Sequence, residues 1–272
     1  VTGHSQQSQS QQSQSQQASR HRFLSIDLGR QSYAQAYAVQ AATLERIVAA
    51  RVEASPSSPL GVLLFVEHDP VITISRRAGA ADHLLANAQT LHAMGVSVEE
   101  TDRGGDITYH GPGQLVAYPI VDLNALNLGL HDYMRLLEES VIRTAADLGV
   151  HAERDAQATG VWVPGQAGAP AAKLCACGVR VRRWVSMHGL AINVSTNLRH
   201  FDLIVPCGLA GRPVTSLQAL LGEACPTMQR VRSLLEHHLR ALLSEAHATA
   251  LAKREAAAVG NPQSSNANAP PA

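Results

Sequence analysis

Lys173 and Cys207 are the residues of this chain whose type and setting point most directly to chemistry. Twenty arginines accompany only two lysines, Lys173 and Lys253. Where positive charge alone sufficed the chain carries Arg, so a lysine kept at 173 points to a task that guanidinium cannot perform, giving up a proton near neutral pH. Cys207 lies in LIVPCGLAG, an apolar run that stops at Pro-Cys-Gly, as a strand does when it ends in a turn. A thiol there serves as a nucleophile, the more so beside a cation that raises its thiolate fraction. The same residue also reads as a small buried hydrophobe at a strand end. If folding brings Lys173 to Cys207, the ammonium stabilises the thiolate and the neutral amine then acts as a base. They are 34 residues apart in sequence, so only tertiary structure can make that contact.

A third stretch, RGGDITYHGPGQLVAYP over residues 103–119, sets polar side chains between two glycine-bearing turns and then runs into an apolar strand. Glycines let the backbone approach a ligand closely, and Asp106, Thr108, Tyr109 and His110 supply polar groups between the turns. The alternative is a hairpin whose glycines only satisfy turn geometry. Cys175 and Cys177, in KLCACG, point to the same face of a strand. With Cys207 they make a weak metal signal, because the spacing matches no zinc pattern.

The elements that must position these groups follow from periodicity. Tyr33, Tyr37, Ala41, Leu44 and Val48 recur at helical spacing, and SPSSP at 55–59 ends that helix. GVLLFVEH from Gly61 and VITIS from Val71 read as a pair of strands joined by an Asp69-Pro70 turn. A short helix over 87–94 and a strand VSVEET lead into the glycine-rich loop, and QLVAYPIVDL suits a buried central strand. A helix over 131–148 is followed by strands at 160–163, 174–182 and 187–194, and a last helix spans 227 to about 243. Helices and strands mix without a regular βαβ repeat, which predicts an α+β fold, a mixed sheet with helices packed on it.

Composition narrows the function classes. Twenty-two basic and twenty-two acidic residues cancel, so there is no bulk attraction to nucleic acid or to an anionic membrane. No apolar run approaches the length of a membrane span and no secretory or transit pattern opens the chain, so a cytoplasmic location is expected. The phosphate-loop, dinucleotide, zinc-protease and nucleophile-elbow motifs are missing. Residues 1–21, almost wholly Gln and Ser, and the tail 246–272 are expected to be disordered, which leaves 22–245 as the folded domain.

Four segments, RGGDITYHGPGQLVAYPI, AAKLCACGVRVRR, SMHGLAINV and IVPCG, stand together in an order that resembles the lipoyl(octanoyl) transferases over roughly residues 24–225. The resemblance implies the catalytic fold of biotin and lipoate protein ligases, an α/β sheet with helices on one side. It implies transfer of an octanoyl group from octanoyl-acyl carrier protein to a lysine of lipoyl domains, those of 2-oxoacid dehydrogenase complexes and of the glycine cleavage H protein. No cofactor or metal is implied, and a monomer is expected. Cys207 resembles the family's acyl-thioester nucleophile and Lys173 the residue that activates it. Arg103, Gly104, Gly105, Asp106, Ile107, Thr108, Tyr109 and His110 resemble the substrate-lining loop. Ala176, Cys177 and Gly178, with Gly189, Leu190 and Ala191, resemble the rest of the pocket, Cys177 standing where an aliphatic residue is the family's habit. Arg76, Arg77, Arg180, Arg182 and Arg183 are a candidate docking patch for acidic carrier domains, or else solvated strand faces. Two rivals stay open: an ATP-dependent lipoate or biotin ligase of the same fold, and a non-catalytic module that binds carrier domains.

Overall fold

The computed structural model describes residues 22–53, 58–165, 168–208 and 211–259. The tracts expected to be disordered at 1–21 and from 260 onward lie outside these residues. Among the described residues a seven-stranded sheet is built from β1 (Phe23–Gln31), β2 (Gly61–His68), β6 (Gln114–Val121), β7 (Glu153–Arg154), β8 (Val161–Val163), β9 (Ala172–Arg182) and β10 (Val185–Asn193). Its order is β1-β2-β6-β10-β9-β8-β7; β1 runs parallel to β2 and every other pairing is antiparallel. A second sheet joins β3 (Val71–Ser75) to β4 (Ser97–Thr101) in parallel and to β5 (Ile107–His110) antiparallel.

Strand alternation builds the two faces of the large sheet. Leu63, Phe65, Leu115 and Ala117 point to one face, where they meet Tyr133, Leu137 and Val141 of α3 (Leu130–Asp147), Leu217 of α4 (Leu217–Leu221), and Val231, Leu235 and Leu239 of α5 (Met228–Val259). Val62, Leu64, Val116 and Tyr118 point to the other and pack on Ala36, Leu44 and Ile47 of α1 (Tyr33–Glu53). The mixed α+β expectation holds, but helices cover both faces and not one. On the small sheet, Ile72, Ile107 and Tyr109 pack with Phe201, Leu203 and Ile204 and with Leu91 of α2 (Ala88–Ala93).

Three expectations change. β2 and β3 do not pair: Asp69-Pro70 carries the chain from the large sheet to the small one. β1 was absent from the periodicity reading because it is an exposed edge, with Leu24 at 50% and Ile26 at 44% exposure and a register irregularity between Asp27 and Arg30. An edge strand packs little on its outward side, so its sequence carries no clean alternation. Finally, 246–259 is not disordered but the last turns of α5, where His247 and Ala250 are buried. Ala-rich composition looked like low complexity and is also good helix former.

Candidate active site

β5, β6, β9 and β10 meet under the loop after β4 to form an open cleft of about 470 Å³. Period-two alternation decides which loop residues enter it. Thr108 and His110 line the cleft with Arg103, Gly105 and Asp106, while Ile107 and Tyr109 turn into the core of the small sheet. Across the cleft lie Ala176, Cys177 and Gly178 of β9 and Gly189, Leu190 and Ala191 of β10. Close backbone approach explains two glycines: a Cβ on Gly178 would lie 2.7 Å from the Gly104 carbonyl, and one on Gly189 would lie 2.3 Å from the Ala117 carbonyl. Gly104 does not line the cleft, and its N–H is committed to the Val179 carbonyl at 2.8 Å.

Arg103 is a fastener for this loop. Its guanidinium donates to the Thr73 carbonyl at 2.8 Å, to the Thr73 hydroxyl at 2.9 Å and to its neighbour Gly104 at 3.1 Å. Of the proposed docking arginines, Arg180 pairs with Asp102, Arg182 and Arg183 both reach Glu45, and Arg77 sits 3.6 Å from Asp106. These pairings tie four of the five to carboxylates of the chain itself.

Tyr33, Val116, Tyr118 and His188 also line the cleft, and sequence reasoning did not assign them to it. His188 takes a left-handed backbone, φ 57°, unusual for a residue with a side chain, and Gln40 of α1 accepts its N–H at 2.8 Å. Its Nε2 donates to Asp102 at 2.9 Å, and Tyr37 donates to the same carboxylate at 2.9 Å. The buried Nδ1 of His188 has no hydrogen-bond partner. Burial first, then the Arg103 and Arg180 guanidinium groups, push His188 down to about 3. His110 donates from Nδ1 to Gln114 at 2.7 Å, and burial again dominates in holding it at about 3. His68 accepts from the Tyr118 hydroxyl at 2.8 Å and is lowered by burial to about 4. The cleft is therefore walled by neutral imidazoles with fixed tautomers.

Lys173 lies beside this cleft. Its side chain is buried, with Nζ 4.7 Å from the Trp162 ring centroid, a cation–π contact that stabilises a charged ammonium away from water. It lines a smaller, tight cavity together with Gln114, Asn193 and Pro206. Thr108, Ala176 and Ala191 line both spaces and so join them. Pro206 opens the 3-10 turn Pro206–Gly208, so the fold brings the Cys207 backbone to the cavity that holds Lys173. The side chain of Cys207 lies outside what the structure describes. Gln114 donates to Asn193 at 2.9 Å, and Asn193 to the Thr215 carbonyl at 3.0 Å; Thr215 in turn donates its N–H to the Lys173 carbonyl at 2.9 Å. This chain of bonds ties His110 to the Lys173 strand.

Cys175 and Cys177 do face the same way, into the core between β9 and α3. The Cys175 thiol hydrogen-bonded to it, and burial, raise the Cys177 thiol well above its ordinary range, which suits a pocket wall and not a nucleophile. Among the described residues no group of three His, Cys, Asp or Glu is placed to hold a metal ion. Nor is any helix among them long and apolar enough to cross a membrane.

Comparison with known proteins places this geometry. The lipoyl protein ligase A/B catalytic domain family matches residues 32–240. The chain is 43% identical over 220 residues to the octanoyltransferase of Flavobacterium johnsoniae, covering 78% of this chain and 93% of that protein. It is 48% identical over 183 residues to the octanoyltransferase of Bacteroides fragilis, covering 67% and 82%. Among solved structures, the bipartite lipoate protein ligase of Thermoplasma acidophilum superposes with a TM-score of 0.58 at 16% identity, over 85% of this chain and 90% of that one. Lipoate-bound LipL1 of P. falciparum gives 0.61 at 11% identity, over 82% and 63%. At such identities these two show a shared fold.

Proposed function

The chain belongs to the lipoyl protein ligase A/B catalytic-domain family, and from that premise we propose that it moves an octanoyl group from acyl carrier protein to a lysine of a lipoyl domain through a thioester on Cys207. The observation that carries this reading is the cavity shared by Lys173 and Pro206, opening through Thr108, Ala176 and Ala191 into an apolar cleft. The buried amine of Lys173 and Pro206, the residue before Cys207, line one space, which supports pairing that amine with the Cys207 turn, while the raised Cys177 thiol suits a wall of the cleft.

In the first half-reaction the Cys207 thiolate attacks the donor thioester and expels the carrier thiolate, which takes up the proton that Cys207 gave to Lys173. One thioester replaces another, so the step is close to isoenergetic. In the second, the acceptor amine attacks the enzyme thioester, the N–C bond forms and the C–S bond breaks. Amide formation makes it downhill without ATP. The acyl chain lies along Val116, Ala176, Leu190 and Ala191 of the cleft. Burying six methylenes at about 0.8 kcal/mol each contributes roughly 5 kcal/mol. One methylene more or fewer shifts binding by about 1–3 kcal/mol, so chain-length selection is real but incomplete. The acceptors are lipoyl domains of 2-oxoacid dehydrogenase complexes and the glycine cleavage H protein, which the family's chemistry serves.

The test is intact-protein mass spectrometry after incubation with octanoyl-acyl carrier protein, without ATP, on wild type and Cys207→Ala. A hydroxylamine-labile octanoyl adduct on wild type alone is expected. An unmodified wild type with intact donor moves the reading to the ATP-dependent ligase or the binding module, and ATP-dependent activity in Cys207→Ala selects the ligase.

A further inference from the structure

Amide formation leaves a proton to dispose of. The acceptor lysine arrives as an ammonium and sheds two protons as its N–C bond forms and the C–S bond breaks. The departing Cys207 thiolate takes one, and the other must reach water. Lys173 is only 6% exposed and its side-chain nitrogen packs on Trp162, so it is poorly placed to hand a proton to solvent.

His83 is placed to do so. It ends the 3-10 turn Ala80–His83, and its side chain is 33% exposed. Its Nδ1 lies 2.6 Å from Asp106 Oδ1. A carboxylate can only accept, so Nδ1 carries the hydrogen and Nε2 is left as a proton acceptor. Asp106 is itself 3% exposed and held, taking the Ile107 N–H at 2.8 Å on Oδ1 and facing Arg77 at 3.6 Å on Oδ2. Asp106 thus carries the imidazole on one oxygen and faces Arg77 with the other.

The imidazole lies against the Cys207 turn. A Cβ built on Gly208 would fall 2.9 Å from His83 Cε1 and 3.3 Å from Asp106 Oδ2, contacts that only a glycine, here at φ 67°, leaves room for. Consecutive Cα atoms are about 3.8 Å apart, so the ring sits within one residue of Cys207. The two segments are also fastened by backbone. Val205 donates its N–H to the His83 carbonyl at 2.8 Å, and Leu85 donates to the Leu203 carbonyl at 2.9 Å.

We infer that His83, oriented by Asp106, is the proton exit of the Cys207 turn, accepting on Nε2 the proton released by the incoming amine and passing it to water. This rests on the reading of Cys207 as the acylated residue. The division of labour is then physical: a buried lysine serves thiolate formation, and a half-exposed imidazole serves the step that releases a proton.

The test separates the half-reactions. Acylation of wild type, His83→Gln, His83→Ala and Asp106→Asn by octanoyl-acyl carrier protein is followed by mass spectrometry, then a lipoyl domain is added and amide formation is timed by rapid quench between pH 6 and 9. Acylation of Cys207 within about threefold of wild type is expected in both His83 variants, with amide formation slowed about 100-fold, the lower end of what general-base groups supply. Wild-type amide formation should rise with pH along an acid limb that His83→Gln lacks, Asp106→Asn should slow it about tenfold, and imidazole in the buffer should restore part of the His83→Ala rate. Wild-type amide-formation rates and pH dependence in both His83 variants would overturn the inference. Loss of both half-reactions together would also overturn it, in favour of a role limited to holding the turn. Wild type that never acquires an adduct on Cys207 would overturn the underlying reading first, before any His83 variant is compared.

Discussion

Gly178→Ala tests whether the glycine-rich loop and β9 are fitted to each other as closely as the cleft requires. The new methyl would sit 2.7 Å from the Gly104 carbonyl oxygen and 3.6 Å from Arg103 Cδ. The first is backbone, so relief requires the loop to retreat by about half an ångström or more, which strains the Gly104-to-Val179 hydrogen bond at 2.8 Å. A weakened hydrogen bond costs about 1 kcal/mol and overpacking about 1–3 kcal/mol. Since parts of the same relaxation are shared, about 2 kcal/mol is expected, a fall in melting temperature of about 4–8 °C for a domain of this size. Arg103, Gly105 and Asp106 line the cleft from that loop, and misplacing a positioning element by about 1 Å can cost up to 100-fold, so octanoyl-transfer kcat/KM should drop at least tenfold. Scanning calorimetry and steady-state transfer from octanoyl-acyl carrier protein read the two effects. A melting temperature within 1 °C of wild type together with unchanged kcat/KM would refute the close-approach argument.

Acid stability should be set by the buried histidines, two lining the cleft and His68 behind Tyr118: His68, His110 and His188 stay neutral when folded down to about 4, 3 and 3, against about 6.5 in an unfolded chain. Between those values the unfolded chain binds more protons, so stability is complete above about pH 6.5 and falls as pH drops, by up to about 1.4 kcal/mol per pH unit per histidine. Urea midpoints at pH 7.5 and pH 5 check it, and equal midpoints would contradict the burial of these rings. Asp102→Asn removes the charge that accepts from His188, Tyr37 and Arg180; with Arg180 about one-third exposed, a loss of about 1–2 kcal/mol is expected, read by urea titration at pH 7.5. Ending the chain at residue 245 deletes buried His247 and Ala250 and the Arg254 bond to the Asn124 carbonyl, and should destabilise by about 1–3 kcal/mol; an unchanged midpoint would show that these last turns of α5 add nothing.

Where the chain's own local chemistry decides the outcome, the sequence was readable. The near-continuous apolar runs of GVLLFVEH and QLVAYPIV determine two strands buried on both faces, and the 3.6-residue spacing from Tyr33 to Val48 determines a helix. The isolated lysine, the Pro-Cys-Gly ending and the glycine-rich loop marked the three segments that the fold gathers around one pair of cavities. Tertiary structure decided what periodicity cannot encode. Strand pairing is long-range, so nothing local told that Asp69-Pro70 links two sheets. The turn at Arg183 and Trp184 takes positive φ at both residues without Gly or Asn, against the usual turn grammar. Which loop residues see substrate was settled by one register: Thr108 and His110 face the cleft, and the adjacent Ile107 and Tyr109 face the small sheet's core. His188 owes its place to a left-handed backbone bonded by Gln40, 148 residues away, and Asp106 meets His83 across 23. A buried polar group finds its partner wherever the packed chain provides one, because leaving it unpaired costs more than any local preference gains.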